Sequence, residues 1–373
     1  MIRVLIADDS ITMRKRVIAA LAADAALEVV AEAGDGRTAA KLCERLRPDV
    51  ITMDVMMPVM DGVAATAYIM ARCPTPILVV SSAGDSGQIQ QTFDALAAGA
   101  IDMLEKPNGG QPKGAWEREL VEAVKRVSRI HPITRSLVRA QGTILSGSDG
   151  LPLPSREAAQ ARNAHVFDVV SSPDSDRNDT AIIAIGASTG GPSAVVEILS
   201  QIPSDFLLAM LLVIHIAPEF SEGLAHWIAK LSKIPVRVAV DGEPLPRPGR
   251  CQVIMAPPDR HMVVGDGHLR TPRGPERNSC RPSIDVLFES VAREGGARAI
   301  ACLLTGMGKD GAVGLLEVRR SGGQTIAQDE ASSTVFGMPR EAIALHAAQV
   351  IMPLADVAGA LYYMARRSRG DQK

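Results

Sequence analysis

Residues 185–191 read IGASTGG, preceded by TAII (180–183) and followed by PSAVVEIL (192–199). A β-rich apolar run thus meets a helix-forming run across a turn dense in glycine. Two chemistries compete there: a cradle for phosphate, or a nucleophile held up on a sharp turn. A Walker-type phosphate loop needs a lysine after its last glycine, and GASTGGPS carries Pro192 at that place, so the β- and γ-phosphates would lose their cation. A dinucleotide fingerprint needs a second glycine where Ser188 stands. The stretch does match G-x-S-x-G over Gly186, Ala187, Ser188, Thr189 and Gly190, a strand-to-helix turn that exposes one hydroxyl. A glycine-rich turn with an idle serine is the alternative, and these residues alone do not separate the two.

The chain has 373 residues, enough for two domains that each bury a core. It is 46% hydrophobic and 22% charged with a net charge of −2, and no Lys/Arg run is interleaved with aromatics, which argues against a nucleic-acid binder. Five cysteines (Cys43, Cys73, Cys251, Cys280, Cys302) are odd in number, far apart in sequence and never in a C-x-x-C pair. Free thiols in a reducing compartment are expected rather than disulfides or a zinc site. The start MIRVLIADDS lacks the marks of a signal peptide, and the apolar stretch FLLAMLLVIHIA is too short to span a bilayer. No membrane insertion and a cytoplasmic location are the expectation.

Along the first third, IRVLIAD, LEVVAEA, DVITMD, PILVVSS and IDMLEKP alternate with alanine- and leucine-rich helical stretches. Five strands alternating with helices predict a parallel, doubly wound sheet. From Ala181 a second alternation begins, with strand candidates AIIAIG, LLAMLLVIHI, VRVAV, CQVIMAP, RAIACLLTG and QTIAQD, and an Asp-Gly hairpin in VVGDGHLR. Between them lies a stretch rich in Ser, Asp, Pro and Gly, with a short helix at SREAAQARN. The expected boundaries are an α/β domain over residues 1–129, a linker over 130–179, and a second α/β domain over 180–370.

In a doubly wound sheet, ligands sit at the carboxyl ends of the strands. Asp8 and Asp9, Asp54, Ser81 and Lys106 stand at the ends of four predicted strands of the first half. Three carboxylates at one rim call for a cation, and an all-oxygen set suits Mg²⁺. A lysine and a hydroxyl opposite would hold a phosphoryl group, with one aspartate as nucleophile. Each aspartate alone reads as a helix cap, but together they do not. Residues 1 to about 125 resemble the receiver domain of bacterial response regulators, MMPVMDG (56–62) included. The resemblance implies a flavodoxin-like fold, phosphorylation of Asp54 from a histidine kinase, Mg²⁺ held by Asp8, Asp9 and Asp54, and Ser81 and Lys106 as switch residues.

In the second half a serine needs a base, and the base needs an orienting group. His215 ends the strand candidate LLVIHI, so a neighbouring parallel strand would bring it to the rim of Ser188. His226 falls within a helix, His268 in the hairpin and His346 near a helix end, while His261 stays as a residue bordering the site. Another glycine-rich strand end, LLTGMGKDGAVG (303–314), offers Asp310 as the acid and Gly306, Met307 and Gly308 as the source of a backbone oxyanion donor; a helix N-cap is the alternative reading of Asp310, and the two roles do not exclude each other. IGASTGG, RPSIDVLFESVA, LLTGMGKDGA and VFGMP together resemble the catalytic domain of chemotaxis-type protein-glutamate methylesterases. That resemblance implies a Rossmann-like doubly wound esterase domain and a triad of Ser188, His215 and Asp310, and backbone N–H groups near Thr189 and Met307 are the expected oxyanion donors. The resemblance also implies methylated chemoreceptors as partners, glutamine deamidation as a second activity and no cofactor for the esterase site. Ile214 and HIAPEF (215–220) depart from the family's usual residues on the substrate side. Two rival readings are a regulator whose output is DNA binding, disfavoured by the lack of a basic helix-turn-helix, and a catalytically retired scaffold.

Overall fold

A computed structural model describes residues 1–84, 86–107, 110, 112–130 and 181–367. The chain divides into two compact units, Met1–Thr143 and Ile144–Lys373. Nearly all of the linker expected over 130–179, and the helix expected at SREAAQARN, lie outside the described residues.

The first unit runs β1 (Ile2–Ala7), α1 (Ile11–Ala22), β2 (Leu27–Ala33), α2 (Gly36–Leu46), β3 (Val50–Met53), α3 (Gly62–Arg72), β4 (Ile77–Ser81), α4 (Ser86–Ala97), β5 (Asp102–Glu105) and α5 (Ala115–Val127). Its five strands are parallel in the order β2-β1-β3-β4-β5. The central strands β3 and β4 are buried throughout, which is why they read as unbroken apolar runs. Helix starts are capped by Ser10, Asp35 and Asp61. None of the aspartates assigned to the phosphoryl site serves as one of these caps. A side chain at Gly62 would put its Cβ 2.0 Å from the carbonyl oxygen of Asp54, so the glycine of MMPVMDG lets α3 start against the strand-end loop.

The second unit is built on seven parallel strands, β6 (Ile182–Ala187), β7 (Ala209–Ile214), β8 (Val236–Val238), β9 (Gln252–Met255), β12 (Ala299–Leu303), β13 (Gln324–Gln328) and β14 (Val350–Met352). Their order is β14-β13-β12-β6-β7-β9-β8. The chain begins in mid-sheet at β6, builds outward through β7, and returns to β12 on the other side, so the winding reverses at β6. A hairpin of β10 (Val263–Gly265) and β11 (His268–Arg270) turns at Asp266 and Gly267, both at positive φ, as the Asp-Gly signal predicts. Among the described residues, six α-helices complete the unit: α6 (Gly191–Gln201), α7 (Ser221–Ser232), α8 (Ile284–Gly295), α9 (Ala312–Arg320), α10 (Met338–Ala344) and α11 (Leu354–Arg367). Helix α8 buries Ile284, Leu287, Phe288 and Val291 in the same apolar cluster as Ala184, Ala301 and Leu303 of the sheet. Each of these large side chains contributes about 1.5–3 kcal/mol of burial, which fixes the start of α8 at the strand ends. The strand β14 is absent from the sequence reading because it is three residues long and Pro353 follows directly.

Candidate active site

Strands β6 and β7 pair in register, Ala187 opposite Ile214, so Ser188 and His215 leave adjacent strand ends. The His215 N–H donates to the Ala187 carbonyl at 3.1 Å, and the Ser188 N–H donates to Thr305, just beyond β12, at 3.0 Å. Gly190 allows the turn: it adopts φ +76°, and a Cβ there would fall 2.5 Å from the Thr334 side chain. The Ser188 Oγ makes no hydrogen bond among the described residues. His215 Nε2 lies 2.9 Å from Asp310 Oδ2.

Asp310 is 2% exposed and gathers five donors. Its Oδ2 takes His215 Nε2 at 2.9 Å and the Ile284 N–H at 2.7 Å. Its Oδ1 takes the Ser283 hydroxyl at 2.7 Å, the Asn278 amide at 3.0 Å and the Asp285 N–H at 3.3 Å. Ser283 is the N-cap of α8, so the carboxylate rests on the N-terminus of that helix, where unpaired N–H groups favour negative charge. The helix following Asp310 is capped by Gly311 instead. Burial pushes the Asp310 carboxyl up, but the bonds from His215, Asn278 and Ile284 outweigh it and hold the acid below its usual range. For His215 burial works against the charge, while Asp310 and the thiol of Cys280 favour it, and the result is pushed up to about 9.

His261 is buried, accepts the Ser283 N–H on Nδ1 at 3.2 Å and has Nε2 2.9 Å from the Pro275 carbonyl. It supports the start of α8 and is linked to Asp310 through Ser283. His226 lies within α7, His268 in β11 and His346 just past α10. Gly306 donates its N–H to the Val335 carbonyl at 3.0 Å, which removes it from the three backbone donors proposed from sequence. Thr189 and Met307 flank the same turn and strand end, Thr189 buried and Met307 56% exposed. Ile214 is buried and faces the turn at Gly191, so this departure packs inside the fold.

In the first unit, Asp8, Asp9 and Asp54 bring one carboxylate oxygen each within 4.8 Å of the others. Lys106 Nζ lies 2.8 Å from both Asp8 Oδ2 and Asp54 Oδ2. Burial pushes the Asp54 carboxyl above its usual range, with the Asp8 charge adding to it and Lys106 opposing. Burial works against the Lys106 ammonium, but both carboxylates overcome it and raise its pKa. Ser81, the last residue of β4, is buried. The donor set is hard oxygen only, which fits Mg²⁺.

Residues 183–361 match the family model described as CheB methylesterase, and residues 4–112 match the response regulator receiver domain. A protein-glutamate methylesterase/protein-glutamine glutaminase of Myxococcus xanthus is 40% identical, covering 99% of this chain and 98% of the relative. The chain belongs to this methylesterase/glutaminase family. A second relative of the same description, from Nitrosospira multiformis, is 40% identical over 100% of this chain and 99% of its own. The crystal structure of the Thermotoga maritima CheB methylesterase catalytic domain is 33% identical and covers 50% of this chain and 99% of that one, at a TM-score of 0.47. The methylesterase is therefore a carboxylic ester hydrolase joined to a receiver domain. No helix among the described residues is long and apolar enough to cross a membrane.

Sequence reasoning about this methylesterase missed three residues at the site. Asn278 bridges Asp310 at 3.0 Å and Asp285 at 2.8 Å. Ser283 joins the α8 cap to the acid, and Cys280 Sγ lies 3.8 Å from His215 Nδ1. Ser283 sits inside the quoted motif RPSIDVLFESVA, where a Ser followed by an apolar helical run signals an N-cap. Asn278 and Cys280 carry no such signal. Helices α2 and α3 also bring Cys43 Sγ within 3.3 Å of Cys73 Sγ, although all five cysteines are free.

Proposed function

We propose that this methylesterase hydrolyses the γ-methyl esters of glutamate side chains on chemoreceptors in the cytoplasm, and deamidates glutamine there, under control of phosphorylation at Asp54. The observation that carries the reading is the His215–Asp310 bond of 2.9 Å, made by a histidine at the strand end next to Ser188. Because Nε2 is engaged with Asp310, Nδ1 is the nitrogen that takes the Ser188 proton as Oγ attacks the γ-carbonyl. Asp310 fixes that tautomer and stabilises the imidazolium. Backbone N–H groups of Thr189 and Met307 hold the oxyanion. The imidazolium gives its proton to the departing methoxy oxygen, methanol leaves, and an acyl group remains on Ser188. Water, deprotonated by His215, then frees the glutamate. With a glutamine side chain the same sequence releases ammonia.

Control is assigned to residues 1–129, joined by a linker over 130–179 to a catalytic domain over 180–370. Asp54 receives the phosphoryl group from a chemotaxis-type histidine kinase, and Asp8, Asp9 and Asp54 would hold Mg²⁺. Bound there, the ion would supply positive charge to offset that of the transferred phosphoryl oxygens. Lys106 leaves its paired contacts with Asp8 and Asp54 to meet those oxygens, and Ser81 supplies a hydroxyl. No role for nucleic acid or for a cofactor at the esterase site enters the proposal.

The test is methanol release from methylated chemoreceptor membranes, with and without Mg²⁺ and a small phosphodonor. Release that rises on phosphorylation, is lost in Ser188→Ala and stays at its basal level in Asp54→Asn supports the reading. Undiminished turnover in Ser188→Ala sinks the nucleophile assignment.

A further inference from the structure

Cys280 stands where the mechanism leaves no role for it. Its Sγ lies 3.8 Å from Nδ1 of His215, the nitrogen not engaged by Asp310. The sulfur is held in place: Arg277 and Cys280 exchange backbone hydrogen bonds of 3.1 and 2.9 Å across a tight turn. Asn278 and Ser279 form that turn at φ +53° and +60°, and the Asn278 amide is tied to Asp310 and Asp285. Both Cys280 and His215 are partly exposed, so an ion from solution reaches them.

The pair has the spacing of two ligands on one metal. With Zn–S near 2.3 Å and Zn–N near 2.0–2.1 Å, tetrahedral angles put sulfur and nitrogen about 3.6 Å apart. Thiolate and imidazole select a borderline-soft cation such as Zn²⁺ over Mg²⁺ or Ca²⁺. An Asp310 oxygen also lies within 4.8 Å of the Cys280 sulfur and of a His215 ring nitrogen, but five donors already occupy the Asp310 oxygens. Such a site would have two protein ligands, with water completing the coordination.

We propose that Cys280 Sγ and His215 Nδ1 form a binding site for Zn²⁺ and that an ion there silences the esterase by occupying the nitrogen that must accept the Ser188 proton. The thiol releases its proton to solvent as the Zn–S bond forms. Silencing rests on the reading of His215 as the general base; binding does not.

Co²⁺, which replaces Zn²⁺ at tetrahedral sites and absorbs through thiolate-to-metal charge transfer, tests the binding directly on the full-length chain. The Asp8, Asp9 and Asp54 cluster holds no sulfur and is silent in that band. Wild type should show the band, Cys280→Ser should lose it, and Cys251→Ser should keep it. His215→Gln, which retains the thiol, should bind Co²⁺ at least about tenfold more weakly. Methanol release by wild type should fall with added Zn²⁺ and return with a chelator, and Cys280→Ser should need at least about tenfold more Zn²⁺ for the same relative inhibition. No thiolate band in wild type, or an equal band in Cys280→Ser, overturns the site. A band lost in Cys280→Ser with activity indifferent to Zn²⁺ overturns the silencing and, with it, Nδ1 as the base.

Discussion

Replacing Asp310 by Asn tests the charge that the buried site is organised around. His215 is pushed from 6.5 to about 9, so its surroundings favour the imidazolium by roughly 3 kcal/mol, with burial opposing and Asp310 first among the favourable contacts. In the proposed mechanism the same imidazolium forms in the transition state, and losing most of that stabilisation would cost at least about a hundredfold in rate. The amide adds a second cost whichever way it turns. With its NH₂ toward His215 it stabilises the wrong tautomer, in which Nδ1 carries the proton and cannot act as base. With its oxygen toward His215, the NH₂ meets the Ser283 hydroxyl, the Asn278 amide and the Asp285 N–H, all of which donate to Asp310. The expected fall in kcat/KM is about 10²- to 10⁴-fold.

The pH profile separates this from simple misfolding. Wild-type kcat/KM should rise about tenfold per pH unit from neutrality and level off near pH 9, because the proposed mechanism needs the unprotonated His215 as base. In Asp310→Asn the burial that lowers the histidine pKa remains while its main opponent is gone, so the midpoint should move toward the acid side. The assay is methanol release from a methyl-ester receptor peptide between about pH 6 and about pH 10. A midpoint that stays near 9, or a loss under about tenfold at every pH, would refute the account.

Ser283→Ala removes both a donor to Asp310 and the N-cap of α8, and should destabilise the catalytic domain by about 1–3 kcal/mol in denaturant unfolding; a change under about 0.5 kcal/mol would show the cradle to be dispensable. Gly62→Ala forces a methyl group against the Asp54 carbonyl, so it should cost the receiver about 1–3 kcal/mol and slow phosphorylation at Asp54. Wild-type unfolding and phosphorylation in that variant would disprove the packing argument. Lys106→Met should leave Asp8 and Asp54 facing each other without their shared cation, and the Mg²⁺ dependence of phosphorylation should steepen. An unchanged Mg²⁺ titration counts against Lys106 as their counter-charge.

Local rules made much of this methylesterase legible in its sequence. Strand periods, the Asp-Gly hairpin and the turn at Gly190 depend on neighbours a few residues apart, and they led to both α/β units and to Asp8, Asp54, Ser81 and Lys106 at strand ends. Placing Ser188 beside His215 needed one further assumption, that consecutive strands pair, and β6 and β7 do. What the tertiary structure alone decided are contacts across long sequence separations. Asp310 takes its donors from His215, Asn278, Ser283, Ile284 and Asp285, 25 to 95 residues away, because packing of α8 on the sheet brings that helix start to the end of β12. The same packing seats Asp310 on the start of α8, while its own helix is capped by Gly311. Cys280 reached His215 through a turn whose positive φ angles fall at Asn278 and Ser279, where no glycine announces them. The short edge strand β14 exists because β13 offers it hydrogen bonds, a partner that three residues of sequence cannot declare.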